Sequence, residues 1–442
     1  MTQLCVLLAT LIVGGAALSV AEAMASTLEE ALAHVYWTNP QLEARRAHRY
    51  SSQEVLARVL ANWHPSIDLT GEAAYGSFEN EKNNLYASHA VQLTLTQPLY
   101  RGGRTLAQVQ QVESHICAEE QQLVHTEQTV LLAATIAYLN LWRDEAVLSL
   151  SIGSEDVLRR QMHAARERFA VGEITRTDVA QAETRLSRAQ ATRQQGVGAV
   201  KTSQAVYTKV IGKNPDQLAF PILPILNLPA TREEILSLAL QNSPLINAAA
   251  YGTAAAAAGI RLVQGERWPV LSFKANVGQI WRKSTTSSHT GAVEAILTLN
   301  VPLYQQGLVD ARLRAAKHTA GQHIHEMHAV RRQAVSSAVQ AWETLKTSIA
   351  QIHSSAIRIA AVEIALKGVQ REAQVGSRTV LDVLDAEQER LEAHVELAKL
   401  KRDEKVSAFQ LLAAVGRLTV KSLLGFPVSY SYKECKNLPS FY

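Results

Sequence analysis

The chain has 442 residues, 47% hydrophobic and 19% charged, long and apolar enough for two or three folded domains and inconsistent with a disordered chain. Its 44 Lys and Arg against 40 Asp and Glu leave a charge of +4 spread along the sequence, which argues against a dedicated nucleic-acid binder. Three cysteines rule out a disulfide framework, and no G-x-G-x-x-G or G-x-x-x-x-G-K-[ST] pattern offers a nucleotide site.

Residues 1–25 read as a signal peptide. The run from Leu4 to Val20 is almost wholly apolar and ends before Ala23-Met24-Ala25, a small-x-small cleavage pattern, although no Lys or Arg precedes it. The mature chain is expected to start at Ser26 and to be exported. Cys5 lies too far from the cleavage site to carry a lipid. Beyond residue 26 no uncharged, strongly apolar stretch of about 18 residues is expected, hence no transmembrane helix.

Next comes a short helix, 28–38, an Asn39-Pro40 break and a longer helix to Asn62, after which Pro65 opens a region of two-residue alternation. Ile67, Leu69, Ala73 and Tyr75 fall on one face, and Ser66, Asp68, Thr70 and Glu72 on the other. Val91, Leu93 and Leu95 likewise alternate with Gln92, Thr94 and Thr96. These are two half-wet strands around a polar loop at 76–86. A proline-free stretch rich in Ala, Gln, Arg, Glu and Leu follows at 105–170, then a Gly-containing turn and a returning helix at 178–210.

The same order then recurs. Pro40, Pro65, Pro98, Gly172 and Gly212 are matched by Pro244, Pro269, Pro302, Gly376 and Gly416, each 204 positions later. The chain therefore divides into repeat 1 (26–214), a proline-rich linker (215–230), repeat 2 (231–418) and a C-terminal tail (419–442). In repeat 2, Leu271, Phe273, Ala275 and Val277 form one strand and Val293, Leu297, Leu299 and Val301 its partner, around a loop at 281–291. A long helix at 308–374 and a returning one at 381–414 follow.

Each long helix would be about 100 Å if continuous. On the last one Val380, Leu384, Leu391, Val395, Ala398, Val406 and Phe409 follow spacings of threes and fours, the seam of an antiparallel coiled-coil pair. Length and period together predict a rod. Exported strands that alternate polar and apolar residues fit an outer-membrane barrel, but four cannot close one, since such barrels start at about eight. Closure would need identical chains around an axis. The competing reading is a periplasmic coiled-coil scaffold or adaptor whose strands form a soluble sandwich.

The sequence resembles the TolC family of outer membrane efflux proteins over nearly the whole mature chain. The resemblance is carried by Gln97-Pro98-Leu99-Tyr100-Arg101-Gly102-Gly103 with Val301-Pro302-Leu303-Tyr304. Above all, Val171-Gly172 with Thr175, Thr177, Asp178, Val179, Ala182 and Glu183 is matched by the run from Val375 to Gln388. It implies an α+β membrane protein: a homotrimer whose twelve-stranded β-barrel in the outer-membrane lipid continues as a helical barrel through the periplasm, with an equatorial belt of short helices and the C-terminal region. It also implies a passive exit duct without catalysis or cofactor, docking to a periplasmic adaptor (membrane fusion) protein and an inner-membrane pump of the RND or ABC type, for efflux or type I secretion.

The resemblance places the channel gate at Asp382 and Asp385. Three positions apart on a helix, they share a face, and threefold symmetry would put six carboxylates around one constriction. The plainer alternative is that they cap or solvate a helix start. It also implies a latch from Arg378 to Thr177 and Asp178, while the tyrosine of a second family latch corresponds here to Ala373.

Other residues are read as structural. His323, His325 and His328 read as a solvated or lumen-facing cluster on one helix rather than a metal site. Glu183 with Arg185, and Glu387 with Arg390, read as helix-surface ion pairs. Cys117 and Cys435, the thiols of the mature chain, leave pairing open. No Ser/His/Asp or Cys/His arrangement supports an enzyme.

Overall fold

The computed structural model describes residues 27–77, 85–216, 218–220, 229, 231–283, 287–424 and 435. The expected signal peptide, most of the linker and most of the C-terminal tail lie outside the described residues. Helix α1 (Leu28–Thr38) opens with a capping box between Thr27 and Glu30. Its last residue precedes Asn39, whose side chain accepts from the Gln41 and Leu42 N–H groups and starts α2 (Pro40–Leu60) with proline in its first turn. The Asn-Pro break is thus a shared cap that turns the chain without leaving helix donors unpaired.

Strands β1 (Ser66–Ser77) and β2 (Leu85–Arg101) lead into α3 (Arg104–Ala170) and the returning α4 (Arg176–Ile211). The second copy runs α5 (Arg232–Asn242), α6 (Pro244–Gln264), β3 (Val270–Lys283), β4 (Ser287–Asn300), α7 (Leu308–Gln374) and α8 (Val380–Ala414), followed by α9 (Val420–Leu424). The first residues of α5, α6, β3, α7 and α8 each lie 204 positions after those of α1, α2, β1, α3 and α4. The repeat read from scattered prolines and glycines is a repeat of whole elements.

The four strands form one antiparallel sheet in the order β1-β2-β3-β4. Two expected loops are shorter than the alternation suggested. β3 continues through Trp281 to Lys283 and β4 starts at Ser287, while β1 reaches Ser77 and β2 begins at Leu85. Apolar alternation fades around Arg282 and Ser288 even though these residues still pair, so backbone bonding outlasts the pattern used to find it. At the other end β2 carries an irregularity between Pro98 and Tyr100, where proline has no N–H to give the ladder.

Strand order becomes helix order. Because α2 feeds β1, β2 feeds α3, α6 feeds β3 and β4 feeds α7, the helices pack in the sequence α2, α3, α6, α7. Farther along, α3 pairs with α4 and α7 with α8. The wall is one layer thick, so its cores are local. The largest joins α1 and α9 to the middle of α3 and to α4 and α8 through Tyr36, Leu139, Tyr207, Phe409 and Val420. Truncating Phe409, which is 2% exposed, to Ala would cost about 3–5 kcal/mol. The predicted seam of α8 holds: Leu384, Ala398, Val406 and Phe409 are buried, and Val380, Leu391 and Val395 are half-buried.

Helix α7 keeps to the expectation of no uncharged apolar run, since Asp, Glu, Lys or Arg interrupts every 18-residue stretch of it, yet it is apolar in part. This helix contains an 18-residue window with a mean hydropathy of 1.3, apolar enough by composition to cross a membrane, and only 17% of that window is buried within the chain. Ile349, Ile357 and Ile364 form an exposed stripe along it, at spacings of eight and seven. As the flank of a one-layer wall, α7 carries apolar surface that its own chain does not cover.

Candidate functional site

Register sorts the sheet into two chemically different faces. Rows running straight across it include Leu69, Leu93, Val277 and Val293, and, two residues on, Ile67, Leu95, Ala275 and Ala295. The intervening row is Asp68, Thr94, Asn276 and Glu294, on the opposite face, with the Asn276 amide donating to the Glu294 carboxylate at 3.4 Å. A continuous apolar face backed by a polar one suits lipid outside and water inside. The apolar face is also open, with Leu69 71% and Val293 84% exposed. Among the described residues β1 and β4 each pair on one side only, and free strand edges do not persist in hydrocarbon.

The far end of the rod carries two matching tips. At each, a glycine in the left-handed region, Gly172 or Gly376, ends the outgoing helix, and a threonine caps the returning one. Thr175 and Asp178 form a capping box, as do Thr379 and Asp382. The Asp382 carboxylate accepts from the Thr379 N–H at 2.9 Å and its hydroxyl at 2.8 Å. Those bonds hold the Asp382 carboxyl below its ordinary range, and the same arrangement does so for Asp178.

The sequence-predicted gate residues are therefore brought to one tip but are not bare. Asp382 is capped, and Asp385 accepts from Arg185 of α4 at 2.5 Å. Arg378 pairs with Glu372 at 3.0 Å, a contact that raises its pKa, and it forms no bond to Thr177 or Asp178 of its own chain among the described residues. Ala373 lies in the last turn of α7, beside that pair.

The expected helix-surface pairs are partly redistributed. Glu387 pairs with Arg390 at 3.0 Å as read, but Glu183 pairs with Arg166 of α3 and Arg185 turns to α8. Nothing local could reveal a partner 200 residues away. Similarly, Cys117 on α3 and Cys435 form a disulfide with Cα atoms 5.5 Å apart, across 318 residues. His323 is engaged by Glu326 at 3.0 Å.

The profile of outer membrane efflux proteins matches residues 28–213 and 235–417. The chain belongs to the outer membrane efflux protein family. It is 31% identical to the outer membrane efflux protein BepC of Brucella suis, over 94% of this chain and 91% of that one. It is 22% identical to TolC of Escherichia coli, over 88% and 81%. A crystal structure of CusC superposes with a TM-score of 0.80 at 17% identity, covering 89% and 92%. The fold is that of the family's trimeric channels, a β-barrel continued by a long helical barrel, and the protein is an outer membrane channel reaching into the periplasm. The alternative of a soluble periplasmic scaffold is set aside, since its strands would have to bury the face that this sheet leaves open.

Proposed function

We propose that three copies of this chain close into a passive duct for tripartite efflux or type I secretion. Three sheets of four strands give twelve, enough to close a barrel, and the free edge of each β4 would meet that of the next chain's β1. The isoleucine stripe of α7 supplies apolar surface for the neighbouring wall. The observation carrying this reading is the placement of a two-faced, open-edged sheet at one end of α3 and α7, each about 100 Å long, and of the Asp382 and Asp385 carboxylates at the other.

On this reading the tip is the periplasmic entrance. Asp382 and Asp385, one of each per chain, form the constriction that admits cations and repels anions, with Arg378, Thr177 and Asp178 as latch residues between neighbouring chains. Val171, Val375 and Phe169, all exposed at the tips, offer an apolar surface for a periplasmic adaptor, through which an inner-membrane RND or ABC pump would supply energy and cargo.

Single-channel recording in planar bilayers tests the gate. Replacing both Asp382 and Asp385 with Ala removes six carboxylates per trimer, so cation selectivity should fall and block by multivalent cations should disappear. Unchanged selectivity in that variant would show that these acids serve only the start of α8.

A further inference from the structure

We infer that Arg185 is a built-in counter-ion of the gate: in the closed tip it neutralises Asp385 and fastens α8 to α4, and its release on opening exposes a second ring of carboxylates. The inference rests on the gate reading above and adds to it a residue and a switch in charge.

Arg185 lies on α4 and Asp385 on α8, so the ion pair crosses from one hairpin to the other. The neighbouring polar pairs stay within a hairpin. Arg166–Glu183 ties α3 to α4, Gln370–Glu387 ties α7 to α8, and Arg378–Glu372 and Thr379–Asp382 brace the second tip alone. The crossing pair also sits at the rim of an apolar contact. Ala182, one turn before Arg185, and Leu384, next to Asp385, are each 1% exposed and share a small core with Leu158, Met162 and Ala165. Moving α8 away from α4 must therefore uncover Leu384 and break the ion pair together.

The strength of the pair suits a switch. Asp385 remains 56% exposed and Arg185 27%, and ion pairs that wet contribute little net stability, so the contact can be exchanged for water at small cost. Its electrostatic effect is larger than its mechanical one. While the pair holds, each chain presents Asp382 without Asp385, three carboxylates around the axis instead of six. Parting the hairpins separates guanidinium from carboxylate and strengthens the cation-attracting potential as the aperture widens. The two repeats have diverged here: 204 positions before Asp385 stands Gln181, and 204 after Arg185 stands Glu389. Repeat 1 has no matching second acid and repeat 2 no matching arginine, so the switch exists once per chain.

Single-channel conductance and reversal potential test this in Arg185→Ala, in the charge swap Arg185→Asp with Asp385→Arg, and in Asp385→Ala. All are compared with the Asp382→Ala, Asp385→Ala double variant, and trimer yield on a gel serves as the folding control. Arg185→Ala should raise resting conductance by at least about twofold and increase cation selectivity, because it loosens the tip and unmasks Asp385. Asp385→Ala should raise resting conductance without that gain in selectivity. The swap should return conductance to the resting level, and it reports on the pair even if Arg185→Ala assembles poorly. Wild-type conductance and selectivity in Arg185→Ala, or a swap as leaky as the single variants, overturns the inference while a selectivity loss in the Asp382, Asp385 double variant leaves the gate in place. If that double variant also keeps its selectivity, the gate reading falls and the inference with it.

Discussion

Gly102 and Gly265 meet so closely that neither has room for a side chain. A Cβ on Gly102 would lie 2.4 Å from the Gly265 carbonyl oxygen, and one on Gly265 would lie 2.8 Å from that of Gly102. Gly102 stands where β2 becomes α3, and Gly265 follows α6 just before β3, so the contact fixes the point at which barrel strands turn into tunnel helices.

Gly265→Ala should accordingly lower the yield of folded trimer, with a cost of about 1–3 kcal/mol for overpacking against backbone that cannot step aside. Gly102→Ala should cost about 1–2 kcal/mol more, since Gly102 has φ +63, in the left-handed region. Heat-modifiable mobility of the purified trimer measures both. Equal tolerance of Ala at Gly265 and at Gly71, where a Cβ would meet nothing within 4 Å, would count against the close-contact argument.

The barrel face gives a second expectation. Leu95 belongs to the row of Ile67, Ala275 and Ala295, whereas Thr94 belongs to that of Asp68, Asn276 and Glu294. Leu95→Arg should destabilise the barrel by about 2–4 kcal/mol if the site is near the bilayer midplane, and Thr94→Arg should be far milder on the polar face beside Asp68. Folding into liposomes from urea compares the two, and equal losses would reverse the assignment of faces.

Much of this architecture was legible because it is periodic. Alternation at Ile67, Leu69, Leu93 and Leu95, threes and fours on α8, and proline and glycine at one repeat offset are local signals that survive without knowing the fold. Legibility stopped where the determining contact is distant in sequence. Arg185 resembled a partner for Glu183 because both stand on one helix, yet the chain brings Asp385 closer from 200 residues away. It also stopped where polarity is uniform, as at Arg282 and Ser288, whose pairing leaves no apolar trace.

Cys117 and Cys435 illustrate the same distance effect and lead to a third expectation. Their disulfide joins the C-terminal region to α3 beside α6, where the Tyr251 hydroxyl donates to the Cys435 carbonyl at 2.6 Å. In the oxidising periplasm the bond should form, and a non-reducing digest should yield one linked peptide carrying both cysteines. In the chain-entropy account a loop this long stabilises by roughly 5–6 kcal/mol, so Cys117→Ser should lower the trimer's unfolding temperature and reductant should do the same to the wild type but not to the variant. Two free thiols after non-reducing purification would refute the pairing.

The capping of Asp382 sets the pH at which the entrance should lose its charge. Two bonds from Thr379 favour the ionised carboxylate, so its folded pKa lies below the ordinary value. With the folded value depressed, the stabilisation from this cap is present above the ordinary carboxylate range and is lost only as pH falls through the lower, folded value. In an Asp385→Ala background, which leaves Asp382 as the remaining acid of the proposed ring, cation selectivity should persist from pH 7 down to about pH 4. Thr379→Val removes the hydroxyl bond but keeps the side-chain size, so selectivity should then fade at a higher pH than in the background protein. Reversal potentials measured across a salt gradient at stepped pH follow both curves. If selectivity in the background protein is already lost well above pH 4, or if Thr379→Val leaves the curve unmoved, the cap does not control the charge of the entrance.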